Sequence, residues 1–113
     1  MSPEADRVRL RHMLDAARQA LAFVDGRPRA DLDRDPMLLL ALTRAVEIVG
    51  EAAGRVTPEG RRACPGLPWP EMTGMRNRLV HAYFDVDHDV LWTTVVDRLP
   101  ALCDELERAL GAE

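Results

Sequence analysis

The chain contains no lysine: all fifteen of its basic residues are arginine. Two cysteines, Cys64 and Cys103, are too few and too far apart for a disulfide framework or a zinc knuckle, and they read as reduced thiols filling apolar space. Aromatic residues make up only 4% of the sequence, with a single tyrosine, Tyr83. No apolar run approaches the ~20 residues of a membrane span. The first residues, Met1-Ser2-Pro3-Glu4-Ala5-Asp6, have neither the basic flank nor the apolar core of a signal peptide, so a cytoplasmic protein without a membrane partner is expected. Repeats and low-complexity tracts are also absent.

What is present is an ordinary globular composition, 113 residues with 47% hydrophobic and 30% charged. A chain of this length buries roughly 65% of the surface its unfolded form exposes, so one helical domain over residues 1–113 is expected. The charge is unevenly spread. Residues 1–54 carry net −1, residues 55–83 net +3 and residues 84–113 net −6, against −4 for the whole chain. A pI near 5.4 argues against strong non-specific binding of nucleic acid, but a local basic patch still holds a phosphate backbone at one place. The all-arginine composition suits bidentate phosphate recognition, but a compositional bias of the source organism accounts for it better.

Periodicity and punctuation give an all-α fold. Leu10, Leu14, Ala17, Leu21 and Val24 form a narrow apolar stripe on a helix over residues 4–25, with His12 on its solvated side. Gly26 and Pro28 stop it, and the polar stretch through Asp33 reads as a loop. Asp35-Pro36 opens a second helix, with Asp35 as N-cap and Pro36 at the first helical position; it runs to about Ala53 and ends at Gly54. Leu38, Leu39, Leu42, Ala45, Val46, Val49 and Ala53 give it an apolar face wide enough for burial on two sides, against its own bundle and a second subunit.

Thr57-Pro58-Glu59-Gly60 starts at most one short turn, and three prolines between Cys64 and Pro70 fix a stiff connection whose Trp69 plugs the end of the core. A third helix begins at Pro70. The fourth, over about 87–110, aligns Leu91, Val95, Leu99, Leu102, Leu106 and Leu110, and Pro100 predicts a kink near Val96. Together these make an up-and-down four-helix bundle.

Chemistry concentrates in Gly74-Met75-Arg76-Asn77-Arg78-Leu79-Val80-His81-Ala82-Tyr83-Phe84. At 100° per residue, Arg76 and Tyr83 nearly eclipse and Asn77 and His81 share a neighbouring stripe, leaving Met75, Leu79 and Val80 for the bundle. A guanidinium binds phosphate through two hydrogen bonds, and an imidazole moves protons near neutral pH. The pair suits RNA cleavage in which a 2′-OH attacks its own phosphodiester, with no metal and no cofactor. Arg76 would bind the scissile phosphate, His81 would act as general acid or base, Asn77 would set the His81 tautomer or contact the phosphate, and Arg78 would support the phosphate. One imidazole cannot be acid and base at once, so a two-fold dimer is expected. Arg44, Glu47 and Glu51 form a polar row on the second helix, either a surface ion-pair series or one in which Glu47 or Glu51 orients an arginine of this stretch.

Arg76-x4-His81 matches the Arg-x4-6-His motif of the HEPN superfamily. The longer run of Pro68-Trp69, Gly74-Met75-Arg76-Asn77, Leu79-Val80-His81-x-Tyr83-Phe84 and Val86-Asp87, with Leu99-Pro100-x-Leu102 and residues 44–53, resembles the HepT toxins of HepT/MNT toxin–antitoxin pairs over about residues 7–106. The resemblance implies a HEPN-like bundle and a homodimeric, metal-independent endoribonuclease in which Arg76 and His81 of both protomers line one cleft. It also implies an MNT-type nucleotidyltransferase antitoxin, in a type VII-like system, that transfers AMP from ATP to the tyrosine matching Tyr83. From the residues alone two alternatives stay open: a module that binds nucleotide or RNA without cutting it, and a dimerisation bundle whose polar fan caps a helix.

Overall fold

Helix α1, Pro3–Val24, packs between α3, Pro36–Gly54, and α8, Leu99–Gly111, and this three-helix contact holds most of the core. The computed structural model describes residues 3–79 and 85–111, and these form an all-α bundle. The buried face of α1 is broader than a single stripe, because Met13, Ala16 and Ala20 join Leu10, Leu14 and Ala17 inside. The small alanines let α3 and α8 approach α1 from two sides. His12 is exposed, as a solvated position requires.

The stretch expected to be a loop contains a short helix, α2, Asp31–Arg34. The expectation failed because its one large apolar residue, Leu32, is only 1% exposed and anchors a turn that local polarity does not reveal. Arginines brace it. Arg27 bridges Asp31 at 3.0 Å and Asp35 at 2.9 Å, and Arg29 bridges Asp33 at 3.0 Å and Asp89 at 2.6 Å. Asp35 then caps α3 by accepting from the amides of Met37 and Leu38, at 3.0 and 3.2 Å, with Pro36 in the first turn. Arg27, with the Leu38 amide, holds the Asp35 carboxyl below its ordinary range.

Helix α4, Pro58–Ala63, is longer than the single turn expected. Buried Asp6 holds it down from α1, accepting from the Thr57 amide at 3.0 Å and the Thr57 hydroxyl at 2.6 Å. The same hydroxyl accepts from the amide of Gly60 at 3.1 Å, so one side chain links two helices and caps one of them. Gly60 has to lack a Cβ, which would lie 2.4 Å from the Asp6 carboxylate. After the proline-rich connection Trp69 is 9% exposed and its indole N–H donates to the Cys64 carbonyl at 3.1 Å. It closes one end of the core. Cys103 is buried and burial pushes its thiol up, consistent with an inert apolar filler.

The third helix expected from Pro70 is divided at Gly74 into α5, Trp69–Thr73, and α6, Met75–Leu79. Thr73 bends the ladder there, its hydroxyl donating to the Trp69 carbonyl at 3.0 Å and the Pro70 carbonyl at 3.3 Å. Met72, Met75 and Leu79 are buried against α3. At the closest approach a Cβ on Gly50 would lie 3.3 Å from the Met72 carbonyl and 4.0 Å from the Arg76 amide. Gly50 therefore sets how near α5 comes to α3. Replacing Gly50 by alanine adds helix propensity, about 0.8–1.0 kcal/mol, against an overpacking cost of about 1–3 kcal/mol. The expected result is a net loss of about 0–2 kcal/mol, read from urea unfolding midpoints.

The last helix is interrupted where the kink was expected. Between α7, His88–Thr93, and α8 lies a π-helical turn, Thr94–Arg98. Pro100 has no N–H to offer the Val96 carbonyl, and the ladder slips by one residue, so that the Leu99 amide donates to the Thr94 carbonyl. The slip keeps Leu91, Val95, Leu99, Leu102 and Leu106 all buried on one side. Asp87 caps α7 through the Val90 amide at 3.0 Å. Among the described residues, no helix is long and apolar enough to cross a membrane.

Candidate active site

Helix α6 puts Met75 and Leu79 into the core, which turns Arg76, Asn77 and Arg78 outward as three consecutive exposed residues. Arg76 lies over α3, its Nε 3.4 Å from Glu47 Oε2. The Glu47 side chain is 25% exposed and the Arg76 side chain 49%. A contact this long uses one edge of the guanidinium and leaves its other N–H donors facing solvent, where a phosphate can take them. The polar row on α3 thus divides: Glu47 reaches Arg76, while Glu51 pairs with Arg44 at 3.4 Å on its own helix.

Arg78 points elsewhere. Its Nη2 donates to the Glu71 carbonyl at 2.5 Å. The Glu71 side chain in turn takes both arms of Arg98, at 2.5 and 2.6 Å, a fork that ties α5 to the π-helical turn and holds the Glu71 carboxyl low. Nothing in the local sequence announces this cluster, because its partners are 27 residues apart. Asn77 is exposed. Val80, His81 and Tyr83, expected on the bundle side, the catalytic stripe and the modified position, lie outside the described residues. On either side, the Asp87 amide donates to the Leu79 carbonyl at 2.7 Å. That bond brings the start of α7 back against the end of α6.

The sequence profile of the family described as ribonuclease HepT-like matches residues 13–109. The chain belongs to the HepT-like ribonuclease family. Among its relatives, a protein of Caldanaerobacter subterraneus subsp. tengcongensis named as an inferred RNase is 34% identical over 104 residues, 92% of this chain and 93% of the relative. A similarly named protein of Methanocaldococcus jannaschii is 34% identical over 95 residues, covering 84% of this chain and 87% of the relative. A protein of Thermococcus cleftensis named as a probable ribonuclease HepT is 43% identical over 74 residues, 66% of this chain and 67% of its own length. No solved structure matches the chain. The HepT-like profile includes the whole of α3, α5 and α6, so the Arg76 and Glu47 arrangement lies inside the region that defines the family.

Proposed function

We propose that this HepT-like chain is a metal-independent endoribonuclease, the toxin of a HepT/MNT pair, acting through Arg76 and His81. The observation that carries this reading is an exposed Arg76 anchored on α3 by Glu47, in a family named for ribonucleases and five residues ahead of an imidazole. Arg76 binds the scissile phosphate and takes up charge as the phosphorus becomes five-coordinate. One imidazole removes the proton of the 2′-OH as its oxygen bonds to phosphorus; a second protonates the 5′-oxygen as the P–O5′ bond breaks. The products are a 2′,3′-cyclic phosphate and a 5′-hydroxyl. Because each chain has one such imidazole, two chains share a cleft. Met37 and Leu40, 80% and 69% exposed in the first turns of α3, support such an interface at that end of the helix. Glu47 is a positioning residue, and Asn77 contacts the phosphate or the imidazole.

The direct test is incubation of purified chain with RNA in excess EDTA. Degradation is expected, with cyclic phosphate ends detected by mass spectrometry. Intact RNA, from a chain free of antitoxin and of bound nucleotide, would sink the reading.

Neutralisation follows from the same stretch. The Tyr83 phenol oxygen attacks the α-phosphorus of ATP, the bond to pyrophosphate breaks, and the phenol proton passes to solvent; the attached AMP then competes for Arg76 with its own phosphate. Incubation with the neighbouring nucleotidyltransferase and ATP should raise the mass of the wild-type chain by whole AMP units and leave Tyr83→Phe unchanged. Equal shifts in both proteins would remove Tyr83 from this role.

A further inference from the structure

A basic cleft lies further around α3 from Arg76, and the proposed chemistry makes no use of it. Arg9 and His12 on α1, Arg44 and Glu51 on α3 and Arg55 just past the end of α3 line a cleft of about 120 Å³. Three guanidinium groups and an imidazole meet one carboxylate there. Arg44 is paired with Glu51 across 3.4 Å, a long and exposed contact. The side chains of Arg9, His12 and Arg55 make no hydrogen bond or ion pair among the described residues. Their donors are free for a ligand.

A cleft that contains two arginines near α5 and the π-helical turn behaves differently. It measures about 330 Å³ and contains Arg78 and Arg98, but also Glu71 and Asp89. Glu71 occupies both arginines, through its carboxylate for Arg98 and its carbonyl for Arg78. Its charge is matched and its donors are largely committed. In a chain of net charge −4, attraction of a polyanion has to come from local excess, and the cleft between α1 and α3 has it.

Its position relative to Arg76 supplies the second argument. With Gly50 facing α5 and α6, at 100° per residue Glu47 lies about 60° around α3, Glu51 about 100°, Arg44 about 120° and Arg55 about 140°. Glu47, which holds Arg76, therefore stands between the motif and the cleft. The two are separated by about the width of one helix, ~10–12 Å with side chains. A strand whose scissile phosphate rests on Arg76 and runs over α3 brings another of its phosphates to Arg9, Arg44 and Arg55.

We propose that this cleft is a phosphate subsite for single-stranded RNA, holding the backbone at a nucleotide away from the bond that is cut. The proposal rests on the ribonuclease reading for its ligand. The subsite adds affinity and register without touching the reacting atoms, as phosphate contacts do. Arg44 exchanges its long contact with Glu51 for the phosphate, and His12 contributes a ring N–H.

The test uses fluorescein-labelled oligouridylate long enough to span both sites, bound to the full chain carrying His81→Ala so that it stays uncut. Adding Arg9→Ala and Arg55→Ala should weaken binding by about tenfold or more and lower the slope of log affinity against log salt by about 0.7 for each arginine removed. Arg9→Lys with Arg55→Lys should restore much of the affinity. In the chain with native His81, the two alanines should raise KM for the oligouridylate, leave kcat unchanged and leave cleavage of the dinucleotide UpA as in wild type. Circular dichroism checks that both variants keep their helices; if the double variant loses them, the single exposed change Arg55→Ala carries the same comparison. Unchanged affinity and salt slope, with RNA still cut, would overturn the subsite and leave the ribonuclease reading standing. Weakened binding of an RNA that the wild type never cuts would do the reverse. An oligouridylate that binds neither protein overturns both.

Discussion

His81→Ala is expected to slow RNA cleavage in EDTA by about 10²- to 10⁴-fold, the range that general acid–base catalysis contributes, with the far-UV circular dichroism unchanged. Arg76 keeps its anchor on Glu47, and buried Met75 and Leu79 keep α6 on the core. RNA should still bind, and kcat rather than KM should take the loss. The wild-type rate should be bell-shaped in pH, because cleavage needs one imidazole deprotonated and another protonated. Cleavage by His81→Ala at the wild-type rate would show that a group outside this stretch moves the proton, and Arg76 would then be left as a phosphate ligand only.

The second large effect is on stability. Asp6→Ala is expected to cost about 1.5–3 kcal/mol, the worth of hydrogen bonds to a charged group, measured as a shift in the urea midpoint. Asp6 is buried, and its two bonds to Thr57 are also what orders the cap of α4, since the Thr57 hydroxyl passes the connection on to Gly60. Its pH dependence has a definite sign. The Thr57 hydroxyl, opposed by desolvation and helped by the Thr57 amide, holds the Asp6 carboxyl below its ordinary range. A carboxyl lowered by folding stabilises fully above its unfolded pKa, near 3.9, and this contribution is lost as the pH falls through the lower folded value. Asp33, Asp35 and Glu71 are lowered too and titrate in the same acid window. The wild type minus Asp6→Asn difference isolates Asp6: it should be largest near neutral pH and shrink below about pH 4. A difference flat across that window would mean that the carboxylate charge contributes nothing.

Local rules were enough wherever the partner of a residue lies within one or two turns. Asp35 and Pro36 mark the start of α3 because a cap and its amides are neighbours in sequence, and Pro100 marks the irregularity of the last helix because the carbonyl it leaves unpaired is four residues back. The same rules failed at α2, where one buried leucine and arginines from beyond the helix outweigh a polar, turn-like stretch, and at Gly74, where a threonine hydroxyl competes with the ladder. Glu47 and Glu51 were indistinguishable in sequence. Only the approach of α6 to Gly50 gives Arg76 to Glu47 and leaves Glu51 to Arg44.

By itself the sequence determined an all-helical chain with its apolar residues at helical spacing, a family resemblance and the stretch where its reactive side chains are densest, because periodicity, caps and motif order are short-range properties. The tertiary structure decided which carboxylate holds Arg76, that Arg78 turns away to Glu71, and that Arg9, Arg44 and Arg55 converge on one cleft. Those pairings join residues 29, 7 and up to 46 positions apart. Their energies depend on which helix faces come together, and no local pattern of charge or hydrophobicity encodes that.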